Sequence, residues 1–289
     1  MVGLKDRWRQ FWSDRWLDRA EDKGLVYRNW LRLGGLVCLQ QSFYDKNYKR
    51  IAEDYLKQEV YFHRKEWEFV YIIRMLELGG KIGWGNKGLG FGCGFERLVP
   101  GLVSKGLDLV VTDLENSGWE FDEGGWDLYF ENPQVCSQED FKSKVKLDNV
   151  DMTLIPSKYL QSEFDFIWSS CSLEHLGGLL PGLDFVIKSL PALKVGGLAI
   201  HTTEFNVGSG NKTLDDSHSS IYRQIDFEWL ELHLISLGCK LYPIDYRLGQ
   251  MEYDLDVDHQ PFRPEGHIKL RVEDYVCSSI GFAIEKVSD

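Results

Sequence analysis

Gly88-Leu89-Gly90-Phe91-Gly92-Cys93-Gly94-Phe95-Glu96 is the stretch that decides the fold, with four glycines in seven residues. The short apolar run Lys87–Phe91 leads into it and reads as a strand, and the residues after it predict a helix. Glycine lets a backbone turn sharply and approach a ligand closely. A strand, a glycine turn and then a helix N-terminus is an arrangement that favours a negative group such as a carboxylate. The spacing does not match the G-x-G-x-x-G turn that seats a dinucleotide pyrophosphate. Cys93 or Phe95, depending on register, stands where the third glycine should be.

Downstream, short apolar runs alternate with helical stretches. Leu107–Thr112, Phe164–Ser169 and Gly197–Thr202 read as strands, and Leu179–Leu190 reads as a helix. Such alternation predicts an α/β fold with a mostly parallel sheet covered by helices on both faces. Phe227–Leu237 is helical and Gly238 caps it. Lys240–Arg247 and Ser279–Lys286 follow as strand-like runs with no helical pattern between them, which predicts a final antiparallel pair. Upstream, residues 1–80 read as helical. Trp8, Phe11, Trp12 and Trp16 form one stripe; Val60, His63, Trp67, Tyr71 and Met75 form a second, ended by Gly79-Gly80. The first stripe, beside Lys5, Arg7, Arg9 and Arg15, predicts a helix docked on the core. The expected organisation is a helical cap over 1–80 and a sheet domain over 81–289. Ser117–Asp140 and Phe205–Tyr222 read as long insertions, which are functional or mobile in most compact domains.

The chain has 289 residues, 43% of them hydrophobic and 27% charged, and a net charge of −12. That supports a real core and argues against nucleic acid, whose phosphates need clustered Lys and Arg. Cys38, Cys93, Cys136, Cys171, Cys239 and Cys277 form no CxxC pair and sit at no zinc spacing, so reduced thiols and a cytoplasmic setting are expected. The N-terminus shows no apolar signal core, and the apolar run Leu31–Leu39 is short and carries Arg32. No transmembrane segment is expected, since one needs roughly 20 apolar residues.

Asp113, in Val110-Val111-Thr112-Asp113-Leu114, lies at a strand end about 20 residues past the turn, where an acid can accept ribose hydroxyls. Val150-Asp151-Met152 follows, then Ile155-Pro156, then Phe164-Asp165-Phe166-Ile167-Trp168-Ser169-Ser170, running into Leu173-Glu174-His175-Leu176. With the Leu-Gly-Phe-Gly-x-Gly turn and His201-Thr202-Thr203-Glu204-Phe205-Asn206, this order resembles bacterial class I S-adenosylmethionine-dependent methyltransferases of small-molecule and surface-glycan pathways, from about Phe62 to Lys286. The resemblance implies a Rossmann-like three-layer sandwich: a seven-stranded, mostly parallel sheet with an antiparallel last strand. It implies S-adenosylmethionine as cofactor, seated by Gly90, Phe91, Gly92, Cys93 and Gly94. Asp113, with Leu114 beside it, would hold the ribose. Asp151 would meet the adenine amino group, with Met152 on the ring, and Ser169 would line the pocket floor with its backbone. Many family members carry an acid where Gly90 stands. Here Glu96, or carbonyls of the turn, would meet the cofactor ammonium. Arg64 is either a partner for the cofactor carboxylate or a solvated helix charge.

Methyl transfer to an alcohol needs alignment and a base. His175, His201 and Glu204 follow strand ends on the cofactor edge, and either histidine is a candidate base. Replacing His201 is therefore expected to abolish turnover. His175, His201, Glu204 and His267 are also metal-ligating residue types, but sequence cannot bring them together and no metal is assigned. Asp254, Asp256, Asp258 and His259 cluster without the glycine or closing Glu of a calcium loop. The loops Phe205–Tyr222 and Gly249–Val276 are rich in Tyr, His, Asp and Glu. They point to a small polar acceptor, by resemblance a hydroxyl of a sugar or related metabolite. The competing readings are a catalytically silent S-adenosylmethionine-binding scaffold, a nicotinamide-dependent oxidoreductase, and a protein methyltransferase. The glycine spacing and the missing Tyr-x-x-x-Lys pattern disfavour the oxidoreductase.

Overall fold

The computed structural model describes residues 28–114, 135–208, 211–264 and 266–289. The tryptophan stripe at positions 8–16 and most of the expected insertion after Ser117 lie outside the described residues. Among the described residues, ten strands form one sheet. They are β1 (Gly35–Val37), β2 (Lys87–Phe91), β3 (Asp108–Asp113), β4 (Val145–Asn149), β5 (Phe164–Ser170), β6 (Leu193–Asn206), β7 (Cys239–Leu241), β8 (Ile244–Asp245), β9 (Lys269–Val272) and β10 (Tyr275–Lys286). The order β4-β3-β2-β5-β6 is parallel throughout. β10 then runs antiparallel to β6 over nine registered pairs, Cys277↔Asn206 to Glu285↔Leu198. The helices are α1 (Lys46–Asp54), α2 (Arg64–Leu78), α3 (Leu98–Val103), α4 (Gln138–Lys144), α5 (Leu179–Ser189), α6 (Gln224–Ile235) and α7 (Glu252–Leu255).

The two-residue period of the strands divides the core in two. Val111, Phe166, Trp168, Leu198 and Ile200 face one way, onto Trp67, Tyr71 and Met75 of α2 and Leu98, Val99 and Leu102 of α3. Leu89, Phe91, Ile167, Ala199 and Phe282 face the other, onto Phe185 and Val186 of α5 and Phe227 and Leu230 of α6. Both layers bury large side chains, and the resulting removal of apolar area from water is the main stabilising term. Gly88 and Gly90 are bare because β5 fills their space. A Cβ at Gly88 would sit 2.4 Å from the Phe166 ring, and one at Gly90 would sit 2.3 Å from Trp168 Cζ2.

Several elements differ from the sequence reading. Residues 1–80 are not uniformly helical: β1 pairs antiparallel with β10 and parallel with β8. Its three residues are all buried, a run too short to show a period. β4, Val-Lys-Leu-Asp-Asn at the sheet edge, has only two apolar residues before Asp148-Asn149 end the run, too short an alternation to mark a strand. Lys240–Arg247 is not one strand, because Pro243 separates β7 from β8. Between them and β10, α7 and the hairpin strand β9 fill a stretch expected to be irregular. The helix expected at the glycine turn starts only at Leu98 and has six residues, since positive φ at Gly92 (60°) and Gly94 (47°) breaks helical continuity. The expected final antiparallel pair is present, with Ile284 opposite Leu241.

Candidate active site

The carboxyl ends of β2, β3, β5 and β6 meet at one edge of the sheet, the edge where open parallel sheets bind ligands. There the glycine turn is tied to β3. Gly94 N–H donates to Asp113 Oδ2 at 2.6 Å, Cys93 N–H donates to the Thr112 carbonyl at 3.1 Å, and Thr112 Oγ1 donates to the Gly90 carbonyl at 2.7 Å. Asp113 Oδ1 also accepts the Leu114 N–H at 2.7 Å. On its other side the turn meets the segment after β5, where Ser172 Oγ donates to the Gly92 carbonyl at 2.9 Å. A Cβ at Gly92 would fall 2.6 Å from Ser172 Oγ and 3.1 Å from Met152 Sδ, so bare backbone is required between them. Asp151 is half-buried and closes its own turn, accepting Thr153 N–H and Oγ1–H at 2.7 Å each.

Beside the turn, the N-terminus of α2 carries Arg64, Lys65 and Glu68 into a buried polar cluster. Glu68 is fully buried and accepts from Cys171 Sγ (2.9 Å), Ser170 Oγ (3.0 Å), Ser279 Oγ (2.5 Å) and Lys65 Nζ (3.0 Å). Burial alone would raise its pKa. Lys65 and Arg64, with the thiol and hydroxyl donors, overcome that and hold the carboxyl at about 2. Arg64 Nη1 lies 2.5 Å from Glu204 Oε1 at the end of β6, and Glu204 Oε2 is buried with no partner among the described residues. Glu174 is buried near them, and Thr203 Oγ1 donates to it at 2.9 Å. Burial, followed by the charge of Glu204, raises its pKa. Glu96 lies by the glycine turn with a buried, unpartnered Oε2, and burial pushes its carboxyl up to about 8. Four carboxyl groups thus share the cluster with two cations, Arg64 and Lys65.

Gly90, Phe91, Gly92, Cys93, Gly94, Glu96, Asp113, Leu114, Asp151 and Met152 come together around the turn, as the sequence predicts. Arg64 belongs to the cluster at the start of α2, and it is not a solvated helix charge: its side chain is 18% exposed and it sits on Glu204. Ser169 lies in register between Phe91 and His201, with Oγ 2.8 Å from His201 Nδ1. His201 needs correction as a candidate base. It is 0% exposed, on the α5–α6 face of the sheet, between the Phe185 and Phe282 rings. Burial lowers its pKa to about 3, so it is a packed, neutral ring, and its loss is expected to cost packing. His175 is exposed on the rim, Nδ1 donating to the His218 carbonyl at 2.8 Å. The four residues of metal-ligating type do not converge, because His201 faces the other layer. The donor atoms that do come within 4.8 Å of one another belong to Cys171, Glu174 and Glu204. The sequence reading missed Lys65, Glu68, Ser170, Cys171 and Ser279. Only the Arg64–Glu68 spacing of four residues, one face of a helix, hinted at any of them.

The order with β10 inserted antiparallel beside β6 is the arrangement that the resemblance implied. The chain has a Rossmann-like α/β fold, a parallel sheet with one strand inserted antiparallel. No family model and no curated relative matches the sequence. Among solved structures, it is similar to an S-adenosylmethionine-dependent methyltransferase from Clostridium acetobutylicum, at 14% identity and a TM-score of 0.45, over 83% of this chain and 97% of that one. It is also similar to phosphoethanolamine N-methyltransferase 2 of Haemonchus contortus, solved with S-adenosyl-L-methionine, at 13% identity and a TM-score of 0.48, over 83% of this chain and 60% of that one. A third similar structure is the [4+2]-cyclase SpnF, at 16% identity and a TM-score of 0.39, over 58% of each chain. No helix among the described residues is long and apolar enough to cross a membrane.

Proposed function

We propose that the protein is an S-adenosylmethionine-dependent methyltransferase acting on a small polar acceptor, a hydroxyl of a sugar or related metabolite. The observation that carries this reading is the glycine turn braced on Asp113 at the carboxyl end of β2, with unpartnered carboxylate oxygens of Glu96 and Glu204 close by. The residues fit the cofactor. Gly92 leaves backbone bare beside Met152, and the buried Glu96 carboxyl, protonated at pH 7 in the free protein, would ionise on meeting a cationic partner such as an ammonium. Glu96 would meet the ammonium, Asp113 the ribose, and Asp151 and Met152 the adenine. S-adenosylmethionine supplies an activated methyl group, and the protein supplies orientation and electrostatics. The Arg64–Glu204 pair would orient the polar groups of the acceptor. His175 at the rim would contact it from solvent. Residues up to about 80 would act as a cap whose α2 closes one side of the site.

Similar folds include N-methyltransferases and a cyclase, so the fold alone does not choose the acceptor. The test is incubation with methyl-labelled S-adenosylmethionine and a panel of monosaccharides and their nucleoside-diphosphate conjugates. Labelled product supports the reading. Cofactor binding with no product from a broad acceptor panel supports the silent scaffold instead.

A further inference from the structure

The loop between α7 and β9 carries a histidine prepared to accept a proton. His267 is 8% exposed, and its Nδ1 lies 2.8 Å from Asp258 Oδ2. An ionised carboxylate only accepts, so Nδ1 carries the hydrogen and Nε2 holds a lone pair. Among the described residues, no hydrogen-bond partner is found for Nε2. Asp258 is itself fixed. It accepts N–H groups from Arg263 and His259 at 2.9 Å each, and its own backbone pairs with Lys269 and Arg271 at 3.0 and 2.8 Å.

The loop is clamped to the mouth of the polar cluster. The His267 carbonyl accepts the N–H of Arg64 at 2.9 Å, and the ring lies 5.0 Å from that of His63 and 5.3 Å from that of Phe262. Gly266 has φ +99°, and a Cβ there would sit 2.8 Å from the Phe62 carbonyl oxygen. The charged and titratable groups acting on the ring are Arg64, Asp258 and Glu204, with His63 against it and Arg263 across Asp258. Burial first, then Arg64, lowers the His267 pKa, and Asp258 and Glu204 oppose them; the net direction is down, so the ring is neutral at pH 7.

We propose that His267 is the general base of the methyl transfer and that Asp258 positions it. The proposal rests on the methyltransferase reading above. The acceptor oxygen forms its bond to the methyl carbon as the carbon–sulfur bond breaks and its electron pair stays on sulfur. The hydroxyl proton passes to Nε2, leaving an imidazolium that Asp258 and Glu204 stabilise and a neutral thioether product. Nothing else is consumed.

Three measurements on the full chain test this. Calorimetry with S-adenosylmethionine is expected to give the same affinity, within about threefold, for wild type, H267N and D258N. Transfer to the sugar panel is expected to fall about a hundredfold or more in kcat for H267N, the scale of a lost general base. D258N should fall less, with KM held. Long-range 1H–15N spectra of 15N-histidine protein are expected to show His267 as the Nδ1–H tautomer in wild type and a mixture in D258N, which loss of packing alone would not produce. Binding with unchanged kcat in H267N, or an Nε2–H tautomer in wild type, overturns His267 as base. Absence of cofactor binding overturns the methyltransferase reading itself. Binding without transfer to any sugar overturns the hydroxyl acceptor on which the base depends.

Discussion

Gly90 shows how one residue can be decided by a neighbour far along the chain. The sequence marked it as a departure, a glycine where an acid is common, but gave no reason. The reason is Trp168 of β5, whose indole lies where any side chain at Gly90 would go, with Cys93 Sγ 2.4 Å from the same point. Gly90→Ala is therefore expected to lower unfolding stability by about 1–3 kcal/mol, the usual cost of overpacking, read as a shifted urea midpoint. Glu96 is the residue proposed above for the cofactor ammonium. The carboxyl of Glu96 is raised to about 8 in the fold against ~4.3 in an unfolded chain, so the native state holds the extra proton between those values. Its contribution to stability is complete below ~4.3 and is lost as pH rises through 8. Glu96→Gln should flatten the decline in stability between pH 5 and 8, measured by urea titration at each pH. Glu66, also raised by burial to about 8, leaves a residual slope.

At the scale of elements, α2 was legible and its purpose was not. The stripe Trp67, Tyr71 and Met75 gave the buried face, and Gly79-Gly80 gave the end. His63, read as part of the stripe, is the N-cap, its Nδ1 accepting the Lys65 N–H at 3.0 Å. Periodicity is blind to a buried charge such as Glu68, because its environment is made by β5, β6 and β10, which lie 102 to 211 residues away along the chain. Glu68→Ala leaves Arg64 and Lys65 without their shared carboxylate. Breaking a buried pair from one side costs about 3–5 kcal/mol, so a loss of that size is expected in urea unfolding. Glycine turns and strand ends are local signals, and Asp113 does end β3. His201 misled because a strand residue's face depends on register, which the motif does not state. The Asp258–His267 contact spans a loop with no period and no motif.

At the scale of the whole molecule, the parallel core from β2 to β6 was visible as alternating runs, and the antiparallel finish as the last pair. The sheet's far side was not visible, since β1, β8 and β9 are two to four residues long. β1 carries a consequence for the cap. Leu36 and Val37 pair with Gly281 and Ile280, and Tyr71 packs on Gly281 while its hydroxyl donates to the Gly34 carbonyl at 2.8 Å. Removing residues 1–80 would strip β1 from the sheet and half of one core layer. The truncated chain is expected to give no cooperative thermal transition by circular dichroism. A folded, cofactor-binding fragment would show instead that the cap is dispensable.

The central claim, that the braced glycine turn seats S-adenosylmethionine, is tested most directly by calorimetric titration of the cofactor into the full chain and into Gly92→Ala. A Cβ at that position meets Ser172 Oγ at 2.6 Å on a backbone at φ +60°. Saturable one-site binding to the wild type is expected, and at least about tenfold weaker binding to the variant, a loss of about 1.4 kcal/mol or more. No binding to the wild type, or equal binding to both, would contradict it.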